Sequence, residues 1–176
     1  AVQQANPNTV VVLSAGASLE TPWLTHCKAL VYGALGGQAG AGAMVDVLTG
    51  KVNPSGKLAE TFPRRLSDTP AYLSFPGERE TSVYSEGVFV GYRYYDTYDK
   101  AVDYPFGFGL SYATFAIDGV NVAKTGANTA HVTATVTNTS DVDAAETVQV
   151  YVAPGKASVA RPKHELKGFR KVFLKA

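Results

Sequence analysis

This 176-residue sequence is short of the features that would mark an unusual protein. It holds one cysteine, Cys27, so no disulfide can form within the chain, and a lone thiol fits a reducing or an oxidising compartment equally. Charge is sparse and balanced, with 16 Lys and Arg against 15 Asp and Glu and a formal net charge of +1. A generalised attraction to phosphate is thereby excluded, and nucleic acid is not expected as a partner. An apolar fraction of 45% beside 18% charged residues speaks against disorder. No apolar run approaches the roughly 20 residues a membrane helix needs, so no membrane partner is expected. His26, His131 and His164 lie far apart, no two at metal-ligand spacing, and His26 next to Cys27 makes no zinc pattern. Ser14, in LSAGAS, lacks the G-x-S-x-G elbow of a serine nucleophile. AVQQANPNTV opens without methionine or a basic-then-apolar leader, and GFRKVFLKA stops inside an alternating pattern, so both termini read as cut ends.

What is present follows two regimes. In the first, Val10 to Leu13 form a short apolar, β-branched run, the pattern of a strand buried on both faces. LETPWLTHC leaves room for a short helix with Pro22 in its first turn, where a missing amide hydrogen costs nothing. ALVYG reads as a second buried strand, and GGQAGAGAMVDVLTG as a glycine-opened helix closing at Gly50. Strand, helix, strand, helix with short loops calls for parallel strands, yet two strands cannot cover their own edges. From Val52 to Gly77, prolines at 54, 63, 70 and 76 predict a loop crawling over a surface. Val88 to Asp96 has the composition of a strand, and PFGFGLSY that of a glycine-punctuated extended segment.

From Thr114 the period becomes two. HVTATVTN places Val132, Ala134 and Val136 on one side and threonines on the other, and TVQVYVAP repeats the device with Val148, Val150 and Val152. Turn signals in KTGAN and NTSDVD separate such segments, which predicts half-buried antiparallel strands of an immunoglobulin-like or fibronectin-like sandwich. About four strands fit where such a sandwich needs about seven.

Several residues invite chemistry. Glycines 33, 36, 37, 40 and 42 lie between a strand and a helix, but their spacing fits neither G-x-G-x-x-G nor the P-loop, so close helix-to-sheet packing is the expectation. Glycosidases work with two carboxylates about 5 to 5.5 Å apart for retention. Glu86, in YSEGVFVGYR, is the best local candidate for a proton donor, with Asp96 and Asp99 nearby; the alternative is a structural carboxylate holding Arg93 or a loop amide. RPKHELKGFRKVFLK carries six Lys or Arg against one Glu, as expected of a solvated face or a guarded sheet edge. Between Tyr84 and Tyr112 lie seven of the chain's ten tyrosines, spaced by glycine and proline rather than by Lys or Arg. That spacing favours mortar between two parts of a protein over a stacking platform.

Taken in series, NPNTVVVLSAG, PWL, NPSGKL followed by TFP, YSEGVFVGYRYYD, YPFGFGLSY, ETVQVYV and RPKHELKGF resemble the C-terminal portion of glycoside hydrolase family 3, the β-glucosidase and β-xylosidase type. Ala59 in LAETFP stands where that family more often has proline. The resemblance implies that residues 1–113 are the last part of an α/β sandwich domain with its connector, and residues 114–176 the first strands of an incomplete fibronectin type III-like domain. It further implies a retaining hydrolase of terminal β-linked sugars, with an oligosaccharide or aryl glycoside as substrate, no cofactor, and a barrel domain N-terminal to this chain as partner. Both catalytic carboxylates of the family fall upstream of Ala1, so no catalytic residue is nominated here, and Glu86 matches a recurrent EG of structural character. The rival reading is a free-standing carbohydrate-binding or protein-interaction module built on the tyrosine strip and the β-sandwich.

Overall fold

The computed structural model describes residues 1–176. A single helical turn, α1 (Val2–Ala5), precedes β1 (Val10–Leu13), whose branched side chains favour extended backbone. β1 pairs in parallel with β2 (Ala29–Tyr32), with Val10 opposite Ala29 and Leu13 opposite Tyr32. The helix expected between them is only a 3-10 turn, Leu24–His26, because too few residues follow Pro22 to complete α-helical turns before Ala29. α2 (Gly40–Leu48) follows β2 and stops as anticipated: Thr49 folds its hydroxyl back onto Val45 O at 2.8 Å and Gly50 takes a left-handed φ of 75°. Of the five glycines singled out around α2, only Gly33 and Gly36 are closely approached, while Gly37, Gly40 and Gly42 open onto empty space. A Cβ on Gly36 would sit 2.9 Å from Gly40 Cα.

The proline-rich stretch is a wrap, with little regular structure beyond a 3-10 turn at Leu66–Asp68 and the two-residue β3 (Phe62–Pro63). It is tied down at Glu20, whose carboxylate accepts the Leu66 N–H at 2.6 Å. β3 pairs antiparallel with β4 (Val102–Tyr104), Phe62 opposite Tyr104. Phe62 is 1% exposed and meets Tyr32 and Tyr104 edge-on, with centroids at 5.3 and 6.2 Å. Burying such a ring contributes about 2–3 kcal/mol and fixes the wrap to the parallel pair.

The segment expected to be a strand, Val88 to Asp96, instead turns at Gly91 (φ 54°) into helix α3 (Tyr92–Thr97). Its tyrosines lie at helical rather than alternating spacing, with Tyr95 buried; aromatic composition alone does not distinguish the two periods.

Beyond Ala113 the expected antiparallel strands form, but the first two are exposed along most of both faces rather than half-buried. β5 (Phe115–Lys124) pairs antiparallel with β6 (Ala130–Asn138), and Ile117 opposite Val136 and Val122 opposite Val132 share a face. β7 (Ala144–Val152) pairs antiparallel with β8 (Glu165–Leu174). The four strands form two separate two-stranded sheets, and Ile117, Val120, Val122, Phe169 and Phe173 remain exposed. The molecule is thus mostly β-strand with few helices, and its sheets are not closed. No helix is long and apolar enough to cross a membrane.

Candidate functional site

The tyrosine-rich stretch lies at the contact between the parallel unit and the β7–β8 hairpin. α3 presents the Tyr92 ring to Phe106, stacked at 4.5 Å, and edge-on to Tyr151 at 6.1 Å. The Tyr92 hydroxyl oxygen accepts the Leu166 N–H at 2.8 Å. Burial, with smaller effects of Tyr92 and Asp96, raises the Tyr151 phenol, whose hydroxyl donates to Gln149 Oε1 at 2.6 Å. Tyr92 and Tyr151 each pack a ring here and keep the hydroxyl for a polar partner, as mortar would, whereas Tyr84, Tyr98 and Tyr112 of the same stretch stand exposed.

Charge reinforces the same seam. Glu165, nearly buried at the start of β8, receives Arg93 and Arg161 at 3.0 Å each and Lys167 at 3.3 Å. Hydrogen bonding from Lys167, then from Arg161, together with the charges of Lys167 and Arg93, holds its carboxyl below the ordinary 4.5 against the opposing effect of desolvation. On the other side, Lys57 of the wrap meets Glu146 of β7, with Nζ 2.9 Å from Oε1 and 3.2 Å from Oε2, and also donates to Gly109 O at 2.7 Å. Gly109 must be glycine, since a Cβ there would fall 2.2 Å from Gly56 O.

The residues singled out in the sequence separate into engaged and free. Asp96 accepts from His164 Nε2 at 3.0 Å, and Asp99 from Lys163 Nζ at 2.6 Å. Arg93 is committed to Glu165, so Glu86 does not hold it. Glu86 instead lines a cleft of about 210 Å³ with Pro70, Ser85, Phe89, Tyr94 and Tyr98, and its Oε2 is buried without a partner. Ser14 donates to Ala34 O at 3.1 Å, joining the ends of the two parallel strands, and Cys27 donates to Leu24 O at 3.2 Å. His26 and His131 are exposed, and no group of three His, Cys, Asp or Glu could hold a metal ion. The basic run divides likewise: Arg161, Lys163 and Lys167 pair with acids, while Arg170 and Lys171 face solvent.

One site was not singled out from the sequence. A cleft of about 400 Å³ is bounded by Ser18, Ala59 to Thr61, Thr69, Pro70, Gly91, Tyr92, Tyr95 and Phe106. Thr61 is 6% exposed and its Oγ1 has no hydrogen-bond partner. Burial, with Tyr94 and Asp68 adding, pushes the Tyr95 phenol up to about 12, so it remains a neutral donor. The available signal was LAETFP, which brings a carboxylate and a hydroxyl side by side ahead of the buried Phe62.

A parallel strand-and-helix unit is thus joined by aromatic rings and ion pairs to the antiparallel β7–β8 pair. Residues 1–92 match the pattern of the glycosyl hydrolase family 3 C-terminal domain, and residues 146–176 that of a fibronectin type III-like domain. The chain belongs to glycosyl hydrolase family 3. It is 66% identical over 176 residues to an exo-α-(1→6)-L-arabinopyranosidase of Bifidobacterium longum and 50% identical over 177 residues to thermostable β-glucosidase B of Acetivibrio thermocellus, covering 99% of this chain and 23% of each relative. The crystal structure of a β-glucosidase of Bifidobacterium adolescentis superimposes with a TM-score of 0.97 at 72% identity, over 99% of this chain and 26% of that one. The chain therefore spans about a quarter of the length of the relatives it matches.

Proposed function

We propose that this chain is the C-terminal section of a retaining β-glycosidase, a β-glucosidase acting on terminal β-linked sugars, with both catalytic carboxylates upstream of Ala1. Residues 1–113 then form the end of an α/β sandwich with its connector, and residues 114–176 the opening strands of a fibronectin type III-like module. The observation that carries this reading is the open sheet edge. β1 is bonded to β2 alone, and Val10 and Val12 stand 48% and 46% exposed on a strand whose composition suits burial on both faces.

The mechanism follows from what these residues can and cannot do. Retention needs one carboxylate as nucleophile and a second, about 5 to 5.5 Å away, as acid and then base. In this chain Asp96 is hydrogen-bonded to His164, Asp99 pairs with Lys163, Glu146 pairs with Lys57, and Glu165 pairs with Arg93, Arg161 and Lys167. Glu86 retains a free oxygen but faces aromatic rings and proline rather than a second acid. The role left to this segment is to hold the α/β layer in place through the seam, so that an upstream acid/base residue and a barrel-borne nucleophile meet one sugar.

The test is turnover of an aryl β-glucoside. The 176-residue chain is expected to show none, and the longer polypeptide bearing both upstream carboxylates is expected to hydrolyse the substrate with retention. Hydrolysis by the 176-residue chain, or inversion by the longer one, overturns the proposal.

A further inference from the structure

We propose that the cleft between β3, the Thr69–Pro70 turn and α3 binds a neutral pyranose ring, as a site that this segment builds from its own residues. The inference goes beyond the catalytic reading above, because none of its residues is assigned to bond cleavage. Its volume of about 400 Å³ lies within the range of small-molecule sites. Three polar groups of its lining residues, the Ser18 hydroxyl, the Glu60 carboxylate and the Tyr95 hydroxyl, take no part in side-chain hydrogen bonds within the chain, and behind the wall Thr61 Oγ1 is enclosed without a partner. A buried hydroxyl without a partner, such as that of Thr61, is uncommon in a folded protein, because desolvation is then uncompensated.

The chemistry of the wall selects the ligand. Glu60 repels an anion, and its charge is felt locally, since it helps to raise the Tyr32 phenol after burial does. A cation would use the carboxylate but leave the donor hydrogens of Ser18 and Tyr95 idle. A polyhydroxylated ring uses both capacities, donating to Glu60 and exchanging donor and acceptor roles with the hydroxyls of Ser18 and Tyr95. Tyr92, Tyr95, Phe106 and Pro70 supply the apolar surface against which the C–H face of such a ring can lie.

The experiment uses the full-length polypeptide that carries this segment, labelled at threonine methyl groups, with D-glucose, the uncleavable S-linked disaccharide thiocellobiose and glycerol as probes. The Thr61 methyl resonance, assigned by its disappearance in Thr61→Val, is expected to shift in a saturable manner with glucose and not with glycerol. Glu60→Gln is expected to move that curve to about tenfold higher sugar concentration, the loss of one charged hydrogen-bond partner. Tighter binding of thiocellobiose identifies the ligand as one unit of an oligosaccharide, and equal binding a free monosaccharide; either supports the proposal. An unshifted Thr61 methyl at saturating glucose, an equal response to glycerol, an unmoved curve in Glu60→Gln, or a crystal structure with polypeptide preceding Ala1 filling the cleft overturns it. Aryl-glucoside turnover, measured on the same sample, reports separately on the catalytic reading.

Discussion

The Lys57–Glu146 pair offers a sharp test of how the wrap is held to β7. Lys57 and Glu146 side chains are 17% and 13% exposed, and at 2.9 Å their gross attraction at an effective dielectric near 20 is about 6 kcal/mol. Desolvating two charges costs several kcal/mol each, so the pair as a whole contributes little relative to apolar residues of similar size. Removing one partner is different, because the other is left buried. Breaking a fully buried pair costs about 3–5 kcal/mol, and the residual exposure here lowers that to about 2–3 kcal/mol. The amides that report on it are Leu58, which donates to Phe108 O, and Gly107, which donates to Leu58 O, both at 2.8 Å. Hydrogen exchange at these two amides is expected to quicken about 30- to 150-fold in Glu146→Ala or Lys57→Ala. The double variant Lys57→Met with Glu146→Leu is expected to return to within about threefold of the parent, since neither charge is then stranded. A double variant exchanging as fast as the faster single would refute the reasoning, since the cost would then lie in lost packing rather than in an unpaired charge.

Two further outcomes follow from the same seam. Gly109→Ala drives a Cβ against the Gly56 carbonyl, a backbone atom that cannot swing away, and should cost about 1–3 kcal/mol by exchange at the same amides, whereas Gly155→Ala, which opens onto empty space, should fall within about 0.5 kcal/mol of the parent; equal effects at the two positions would show that the close approach is not felt. Glu165 is held below its ordinary 4.5, so its contribution to the seam is complete above that value and disappears as pH falls through the depressed folded value. Protection of the Leu166 amide, corrected for intrinsic exchange, should therefore stay level from about pH 7 down to that range and then fall, and in Glu165→Gln the acid limb should vanish; a limb that persists in the variant would assign the titration elsewhere.

How much was legible beforehand depends on the range of the forces involved. β1, β2 and α2 were readable because β-branched runs, a glycine-rich entry and a Gly50 stop act within a few residues. The hairpins β5–β6 and β7–β8 were readable because alternation and turn chemistry are local too. α3 was misjudged as a strand, since Tyr, Val and Phe suit both a half-buried strand and a buried helical face. Of the candidate cleft, only the adjacent Glu60 and Thr61 of LAETFP were legible. Ser18, Thr61 and Tyr95 lie far apart along the chain, and only the folding of the wrap between the parallel pair and α3 brings them onto one wall.

By itself the sequence determined the family, the elements β1, β2 and α2, and the antiparallel strands of the second half, because each rests on short-range pattern or on motifs in series. Tertiary structure alone decided which charges are spent and which are free: Arg93 goes to Glu165 rather than to Glu86, Lys57 goes to Glu146, and Glu60 and Thr61 are left without partners. The physical reason is that pairing of charges and hydroxyls depends on distances of about 3 Å between residues remote in the chain, which no local pattern encodes.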